Sequence, residues 1–213
     1  MLRRALFMLL ALAPLLLAPA AGAQGAQTSL DALLAKLAKV EGLSARFREE
    51  KRLSLVAVPL VSEGTIHYQK PRKLARHTLK PSPSSVLLTG DVVRFADASR
   101  SETIGLDTQP ALRMLIDTFV GVLAGDKAAL ARFSELSLEE RGAGGWRIKL
   151  VPKDPKLLRI VRTLAFEGKD TELSAMELVD GHGDLTRTTF SDVRFGRLSA
   201  ADEKRAFRLG AGG

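Results

Sequence analysis

Histidine, which serves in metal sites and in acid-base catalysis, is sparse in this 213-residue sequence, whereas carboxylates are abundant. Its three histidines are His67, His77 and His182. The first two stand in alternating, strand-like segments, whereas His182 lies in the segment Asp180-Gly-His-Gly-Asp184, where two carboxylates and an imidazole could approach a metal ion. The glycines of this segment are more typical of a solvated turn than of a metal site. We therefore predict a turn here and no resident metal.

Sequence motifs of common enzyme classes are missing as well. The chain has neither a His-Glu-x-x-His nor a Gly-x-Ser-x-Gly pattern. The segment Gly121–Lys127 resembles a phosphate loop only superficially, because it has neither the spacing nor the Ser or Thr of that motif. The absence of cysteine excludes a thiolate metal site, a cysteine nucleophile and a disulfide framework. We predict a protein without catalytic activity and without a cofactor.

The N-terminal residues have the pattern of a secretory signal peptide. Arg3 and Arg4 precede an apolar run over residues 5–17, and Ala21-Gly22-Ala23 fits the small-x-small cleavage pattern. The apolar run is shorter than the ~20 residues that a membrane-spanning helix needs. We therefore expect a signal peptide over residues 1–23, cleaved near Ala23, and a single periplasmic domain over residues 24–213 without a lipid anchor.

Removing Arg3 and Arg4 leaves 30 basic and 24 acidic side chains, a net charge of +6 instead of +8. Because the protein is expected to be exported, we predict no nucleic-acid partner. Its positive charge is instead expected to attract an acidic protein partner or an anionic membrane surface.

Two helices are predicted from apolar side chains spaced by three or four residues. The first is capped by Thr28 or Ser29 and runs to about Glu41. The second begins at Pro110, with Asp107 or Thr108 as caps, and runs to about Leu123. A short helix over Lys127 to Phe133 follows. The apolar stripes of the two main helices comprise Leu30, Leu33, Leu34, Leu37 and Val40 in the first, and Leu112, Leu115, Ile116, Phe119, Val120 and Leu123 in the second.

The rest of the chain reads as short strands joined by turns. Residues 62–70 alternate in polarity, Pro71 ends that strand, and residues 74–80 return as the second strand of a hairpin with a basic turn. Similar patterns continue along the chain and end in a last short strand at Ala206 to Leu209. We predict a mainly β (α+β) fold in which about eleven strands form a strongly curved antiparallel sheet, an incomplete barrel. The helices are expected to cover or plug its concave apolar face.

Two stretches resemble the LolA family of periplasmic lipoprotein carriers. The first is Gly64-x-Ile66-x-x-x-Lys70-Pro71-x-x-Leu74, followed by a proline and an apolar strand that ends in Gly90-Asp91. The second is Trp146-x-Ile148-x-Leu150-x-Pro152, followed in order and spacing by strands up to Phe195. The resemblance covers nearly the whole chain after the signal peptide. It implies an incomplete barrel whose helices form a lid over an apolar cavity for the acyl chains of lipoproteins.

The resemblance also implies a function and a set of site residues. The protein would be a monomer that shuttles acylated lipoproteins or another lipid from an inner-membrane donor complex to an outer-membrane acceptor. The alternatives are a carrier of a different lipid, such as a glycolipid or pigment intermediate, and a non-catalytic periplasmic lipid-sensing module. The expected lid and lipid-binding side chains are Leu30, Leu33, Leu34, Leu37, Phe47, Ile66, Tyr68, Leu112, Leu115, Ile116 and Phe119.

The chain departs from the family pattern at positions that matter for this function. Lys70 replaces an arginine that, in the family, latches the lid through hydrogen bonds to helix carbonyls; lysine lacks the planar multi-donor fork of arginine. His67 and Arg76 stand where the family tends to have aromatic residues. Arg72, Lys73 and Arg76 form a basic group, which we interpret either as a contact site for an acidic partner or lipid head groups, or as a solvated hairpin.

Overall fold

Alternation of apolar and polar side chains generates one large sheet in this protein. The structure, a computed structural model, describes residues 30–142 and 144–210. The strands, numbered in chain order, are β1 (Gly42–Arg52), β2 (Leu60–Gln69), β3 (Lys73–Lys80), β4 (Ser84–Thr89), β5 (Val92–Asp97), β6 (Ser101–Gly105), β7 (Ser134–Arg141), β8 (Gly145–Pro152), β9 (Val161–Lys169), β10 (Glu172–Asp180) and β11 (Leu185–Phe195).

The sheet consists of two meanders joined side by side. Its eleven strands follow the order β6-β5-β4-β3-β2-β1-β11-β10-β9-β8-β7. Neighbouring strands are antiparallel throughout. The first and last strands are therefore central neighbours, and β6 and β7, which are consecutive along the chain, form the two free edges. The prediction of a mainly β, curved antiparallel sheet that does not close is confirmed.

The described helices connect or flank this sheet. Residues 30–37 are helical and form α1, and a 3-10 turn at Leu106–Thr108 precedes α2. The others are α2 (Pro110–Ala124), α3 (Lys127–Phe133), α4 (Pro155–Leu158) and α5 (Ala200–Ala206). No helix within the described ranges has the length and apolarity to cross a lipid bilayer.

The hydrophobic core lies between the concave face and the helices α1 and α2. Leu34 and Leu37 of α1 and Val122 of α2 are buried against sheet residues such as Tyr68 and Phe166. Because α2 and α3 form the link between the two edge strands β6 and β7, the chain itself carries them across the open side of the sheet. The helices thus cover the concave apolar face, as the apolar stripes predicted.

Several details differ from the predictions. The expected last strand at Ala206 to Leu209 is wrong, because Ala206 ends the helix α5. Its N-cap signal was overlooked: the Ser199 hydroxyl accepts a hydrogen bond from the Asp202 amide, and acidic residues occupy the first turn. The helix α1 ends at residue 37, four residues before Glu41. The N-cap residue of α2 is Gln109, and not Asp107 or Thr108 as predicted.

Other predictions fall outside the described residues. These are the signal peptide over residues 1–23, its cleavage near Ala23, and the caps Thr28 and Ser29.

Candidate functional site

An apolar cavity of about 180 Å³ lies between the concave face and α2. The register places Phe47 opposite Phe190 and Ile66 opposite Arg76, so alternation puts these side chains on one face. The lining residues are Phe47, Glu49, Ile66, Leu74, Arg76, Val86, Leu88, Leu112, Ile116, Phe119, Met176, Thr188 and Phe190. Both halves of the sheet and α2 therefore contribute to one cavity.

Five of the predicted lipid-binding residues line this cavity: Phe47, Ile66, Leu112, Ile116 and Phe119. The others do not. Leu30, Leu33, Leu34 and Leu37 of α1 belong to the adjacent core, and Leu115 packs against it from α2.

Tyr68 also lies in the core rather than on the cavity wall, and its side chain is fully buried. Burial, together with the nearby Glu41 carboxylate, raises the pKa of its hydroxyl to about 12. The group is therefore neutral at any physiological pH, as an apolar core requires.

A charged pair interrupts the apolar wall. The Arg76 guanidinium lies 4.2 Å from the centre of the Phe47 ring and 3.0 Å from the Glu49 carboxylate. The hydroxyl of Thr188 donates to the same carboxylate at 3.0 Å. Sequence reasoning did not identify Glu49 or Thr188, although Glu49 is in phase with Phe47 on β1 and could have been found from this alternation. The cavity thus offers an aliphatic and aromatic wall with one polar corner.

Lys70 contacts the end of α1. Its ammonium group donates a hydrogen bond to the carbonyl oxygen of Ala38 and lies 3.7 Å from the Glu41 carboxylate. The Lys70 amide also donates to the Glu41 carbonyl at 3.0 Å. These contacts join the β2–β3 turn to the C-terminal end of α1, where a cation is electrostatically favoured.

Arg72 makes the corresponding connection to α2. Its guanidinium forms an ion pair with Asp117, donates to the Gly90 carbonyl at 2.9 Å and lies 3.2 Å from Asp91. Asp117 was missed at the sequence level. It is the single acidic residue of a mostly apolar helix, which was the available signal.

The helices α1 and α2 touch each other directly. Gly125, which ends α2 at a φ of 65°, approaches α1 so closely that a Cβ atom there would lie 2.0 Å from the Leu34 carbonyl oxygen. Both the left-handed conformation and this contact require glycine. An ion pair between Lys127 and Asp31 adds a second connection. Direct contacts therefore join α1 to both α2 and α3.

The three basic residues predicted as a partner contact point in different directions. Arg72 faces α2, and Arg76 lines the cavity. Lys73 forms an ion pair with Glu203 of α5 on the convex side of the sheet. The structure does not bring these side chains together into one patch, and each has a partner within the chain.

Helix α5 covers a second cavity, of about 490 Å³, on the convex face. His77 bridges the Ser85 hydroxyl, at 2.8 Å, and the Ala206 carbonyl, at 2.7 Å. The ring of His67 lies 6.3 Å away. Burial and the neighbouring His77 lower the pKa of His67, and the Asp202 carboxylate opposes them. Polar and apolar side chains both line this cavity. His77 connects the sheet to α5, whereas the His67 ring is hydrogen-bonded to the Ser44 hydroxyl at 3.0 Å.

The segment from Asp180 to Asp184 forms a turn. The Asp180 carboxylate accepts hydrogen bonds from the amides of His182 and Asp184, and Asp184 accepts one from the Ser54 amide. Within residues 30–142 and 144–210, no three or more His, Asp or Glu side chains converge as metal ligands would.

Comparison with known proteins identifies relatives of this chain. The model of the family described as "Outer membrane lipoprotein carrier protein LolA-like" matches residues 21–209. The outer-membrane lipoprotein carrier protein of Methylococcus capsulatus (strain ATCC 33009 / NCIMB 11132 / Bath) is 28% identical over 137 residues, which cover 63% of this chain and 62% of that protein. The chain thus matches less than two thirds of the length of that relative.

A solved structure with a TM-score above 0.5 supports the fold described above. The MucA/MucB complex of Pseudomonas aeruginosa is 16% identical, with a TM-score of 0.51 over 86% of this chain and 62% of the other. A LolA superfamily protein from Nitrosomonas europaea is 12% identical, with a TM-score of 0.44 over 86% of this chain and 97% of the other. At such identities the likeness concerns the fold.

Proposed function

This chain belongs to the LolA-like family of outer membrane lipoprotein carrier proteins, and we propose that it binds the acyl chains of lipoproteins in the cavity under α2. In this proposal it carries them through the periplasm, from a donor complex in the inner membrane to an acceptor at the outer membrane. The observation that carries the proposal is an apolar cavity lined jointly by the sheet and by the helix α2.

Loading requires the lid to open. The cavity of about 180 Å³ is smaller than the roughly 300–1,000 Å³ of ordinary ligand pockets. Moving α2 away from the sheet would uncover Leu112, Ile116 and Phe119 together with the sheet residues beneath them. The acyl chain would then occupy the surface that the helix covers in the closed state.

The energetics of such an exchange suit a carrier that must release its cargo. Burying ~16 carbons of an acyl chain contributes roughly 12 kcal/mol at ~0.8 kcal/mol per methylene. Opening the lid exposes the apolar side of α2 and breaks its ion pair with Arg72. Because the cost of opening opposes the gain of binding, the net affinity is weaker than burial of the acyl chain alone would give.

A second candidate function is the transport of a different lipid, one with a polar or charged group. The Glu49–Arg76 pair in the cavity wall favours it, since a purely aliphatic cargo leaves this pair without additional partners. A glycolipid or another amphiphile would place its polar atoms there.

Native mass spectrometry of the protein, purified gently after export in its own host, tests both candidates. A bound lipoprotein or triacyl anchor supports the first, and another lipid supports the second. Ile116→Trp, which fills the cavity, should abolish lipid retention, whereas Leu115→Trp, one position earlier and outside the cavity, should retain it. A protein that is reproducibly empty and also binds no apolar dye would contradict both.

A further inference from the structure

The loop between β1 and β2 exposes a continuous apolar segment. Residues 53–61 read Leu-Ser-Leu-Val-Ala-Val-Pro-Leu-Val. Leu55 is 96% and Val58 71% exposed, and Val56 and Leu60 are also exposed. Single exposed apolar side chains are ordinary on protein surfaces, but a contiguous group marks a site of interaction. We name residues 53–60 the apolar loop.

The apolar loop continues the wall of the lid cavity. Leu60 pairs with Lys51, and Ser62 pairs with Glu49, in the register of β1 and β2. Because alternate residues share a face, Leu60 lies on the same concave face as Glu49, which lines the cavity. A lipid that leaves or enters the cavity past Glu49 therefore meets the apolar loop next.

Two other loops lie beside the apolar loop at this end of the sheet. The Ser54 amide donates to the Asp184 carboxylate at 2.8 Å, which ties the loop to the β10–β11 turn. The Gly181 amide of that turn donates to the Ile160 carbonyl at 2.9 Å. Ile160 is itself exposed and adds to the apolar surface.

The charges at this end are arranged asymmetrically. Arg52, Arg159 and Arg162 have exposed side chains. The carboxylates of Asp180 and Asp184, by contrast, accept hydrogen bonds from backbone amides of the turns. Arg52 lies 3.9 Å from the Glu50 carboxylate, and Arg162 donates to the Gly181 carbonyl at 2.7 Å. All three guanidinium groups nevertheless remain exposed near the apolar loop.

We propose that the apolar loop inserts into the surface of an anionic lipid bilayer, with Arg52, Arg159 and Arg162 binding the head groups. Apolar side chains at the tip of a hairpin reach the acyl boundary, and surrounding cations are attracted by the negative surface potential. This docking would place the open end of the concave face against the membrane. It goes beyond cargo binding and does not depend on which lipid the cavity holds.

Vesicle flotation with the purified full protein tests the proposal. Vesicles of phosphatidylcholine with one third phosphatidylglycerol should bind the protein, and high salt should weaken the binding. The double variant Leu55→Ser/Val58→Ser should bind at least about tenfold more weakly. The matched control is Val92→Ser, an exposed apolar residue in the β4–β5 hairpin, which should bind as the unchanged protein does.

A second measurement tests insertion directly and does not rely on a variant with weakened vesicle binding. Because the chain has no cysteine, Val56→Cys and Val92→Cys can each carry a single polarity-sensitive dye. Anionic vesicles should shift the emission of the dye at position 56 to the blue and leave that at position 92 unchanged. Equal binding by the Ser variant and the unchanged protein, no shift at position 56, or equal binding to neutral vesicles would overturn the proposal. Binding to a protein partner alone would do the same.

Discussion

Breaking the ion pair between Arg72 and Asp117 tests whether it holds α2 over the cavity. The two side chains are 26% and 15% exposed. Opposite unit charges about 4 Å apart attract by about 4 kcal/mol at an effective dielectric constant of about 20, and by about 1 kcal/mol in bulk water. Because desolvation of both groups cancels part of this attraction, we expect a coupling energy of about 2 kcal/mol.

A double-mutant cycle measures this energy. The free energy of unfolding in urea is determined for the unchanged protein, Arg72→Met, Asp117→Asn and the double variant. The matched control is the pair Arg100–Glu102, which is 3.2 Å apart but 61% and 48% exposed. Its coupling energy should not exceed about 1 kcal/mol.

The same variants report on the lid. A loss of about 2 kcal/mol from the closed state raises the ratio of open to closed protein about 30-fold. Arg72→Met should then bind an apolar dye such as N-phenyl-1-naphthylamine more tightly, by up to that factor. A coupling energy below about 0.5 kcal/mol, the usual error of additivity, would refute the reasoning. Normal coupling with unchanged dye affinity would mean that the pair stabilises the fold without closing the cavity.

Further predictions concern the lid joint, the cavity and the convex face. Gly125→Ala should lower the free energy of unfolding by more than about 1 kcal/mol in urea titrations, since its Cβ would collide with the Leu34 carbonyl at a positive φ. Arg76→Leu should cost about 2 kcal/mol in the same assay, because Glu49 loses its ion pair; adding Glu49→Leu should recover most of this loss. Stability should fall as the pH decreases below 6.5, the unfolded value for His67, because its lowered pKa makes the folded protein bind fewer protons. In His67→Gln this loss of stability with falling pH should be smaller. Thermal unfolding, measured above the pH range in which carboxylates titrate, follows it. If the variant and the unchanged protein have the same pH profile of stability, His67 is not the group responsible.

The architecture could be predicted because its signals are local. Pro71 and the alternation on either side of it defined a hairpin, and Pro110 marked the start of α2. The helix α5 was missed because its apolar content is small and its capping residue Ser199 was not weighed. A short capped helix on a sheet surface produces no hydrophobic stripe, so only the cap identifies it.

The site could be predicted only in part, because its polar contacts join distant segments. Alternation and helical spacing identified Phe47, Ile66 and Ile116, since each lies on the apolar face of its own strand or helix. No sequence pattern places Asp117 beside Arg72, 45 residues away. The direction of Arg76 could have been inferred from Ile66, its partner across β2 and β3, but only once the register of that hairpin was known.

The neighbouring position of β1 and β11 governs how the chain can acquire its structure. Leu43 pairs with Phe195, so the centre of the sheet closes only after nearly all the intervening residues are available. A polypeptide delivered from its N-terminus presents β1 to β6 first, and one edge of β1 remains unpaired until β11 arrives. Pairing at such sequence separation is slow, and an unpaired edge is a template for association with other strands. The order of delivery therefore creates an interval in which a holding chaperone would raise the yield of folded protein, and pausing delivery before β11 would lower it.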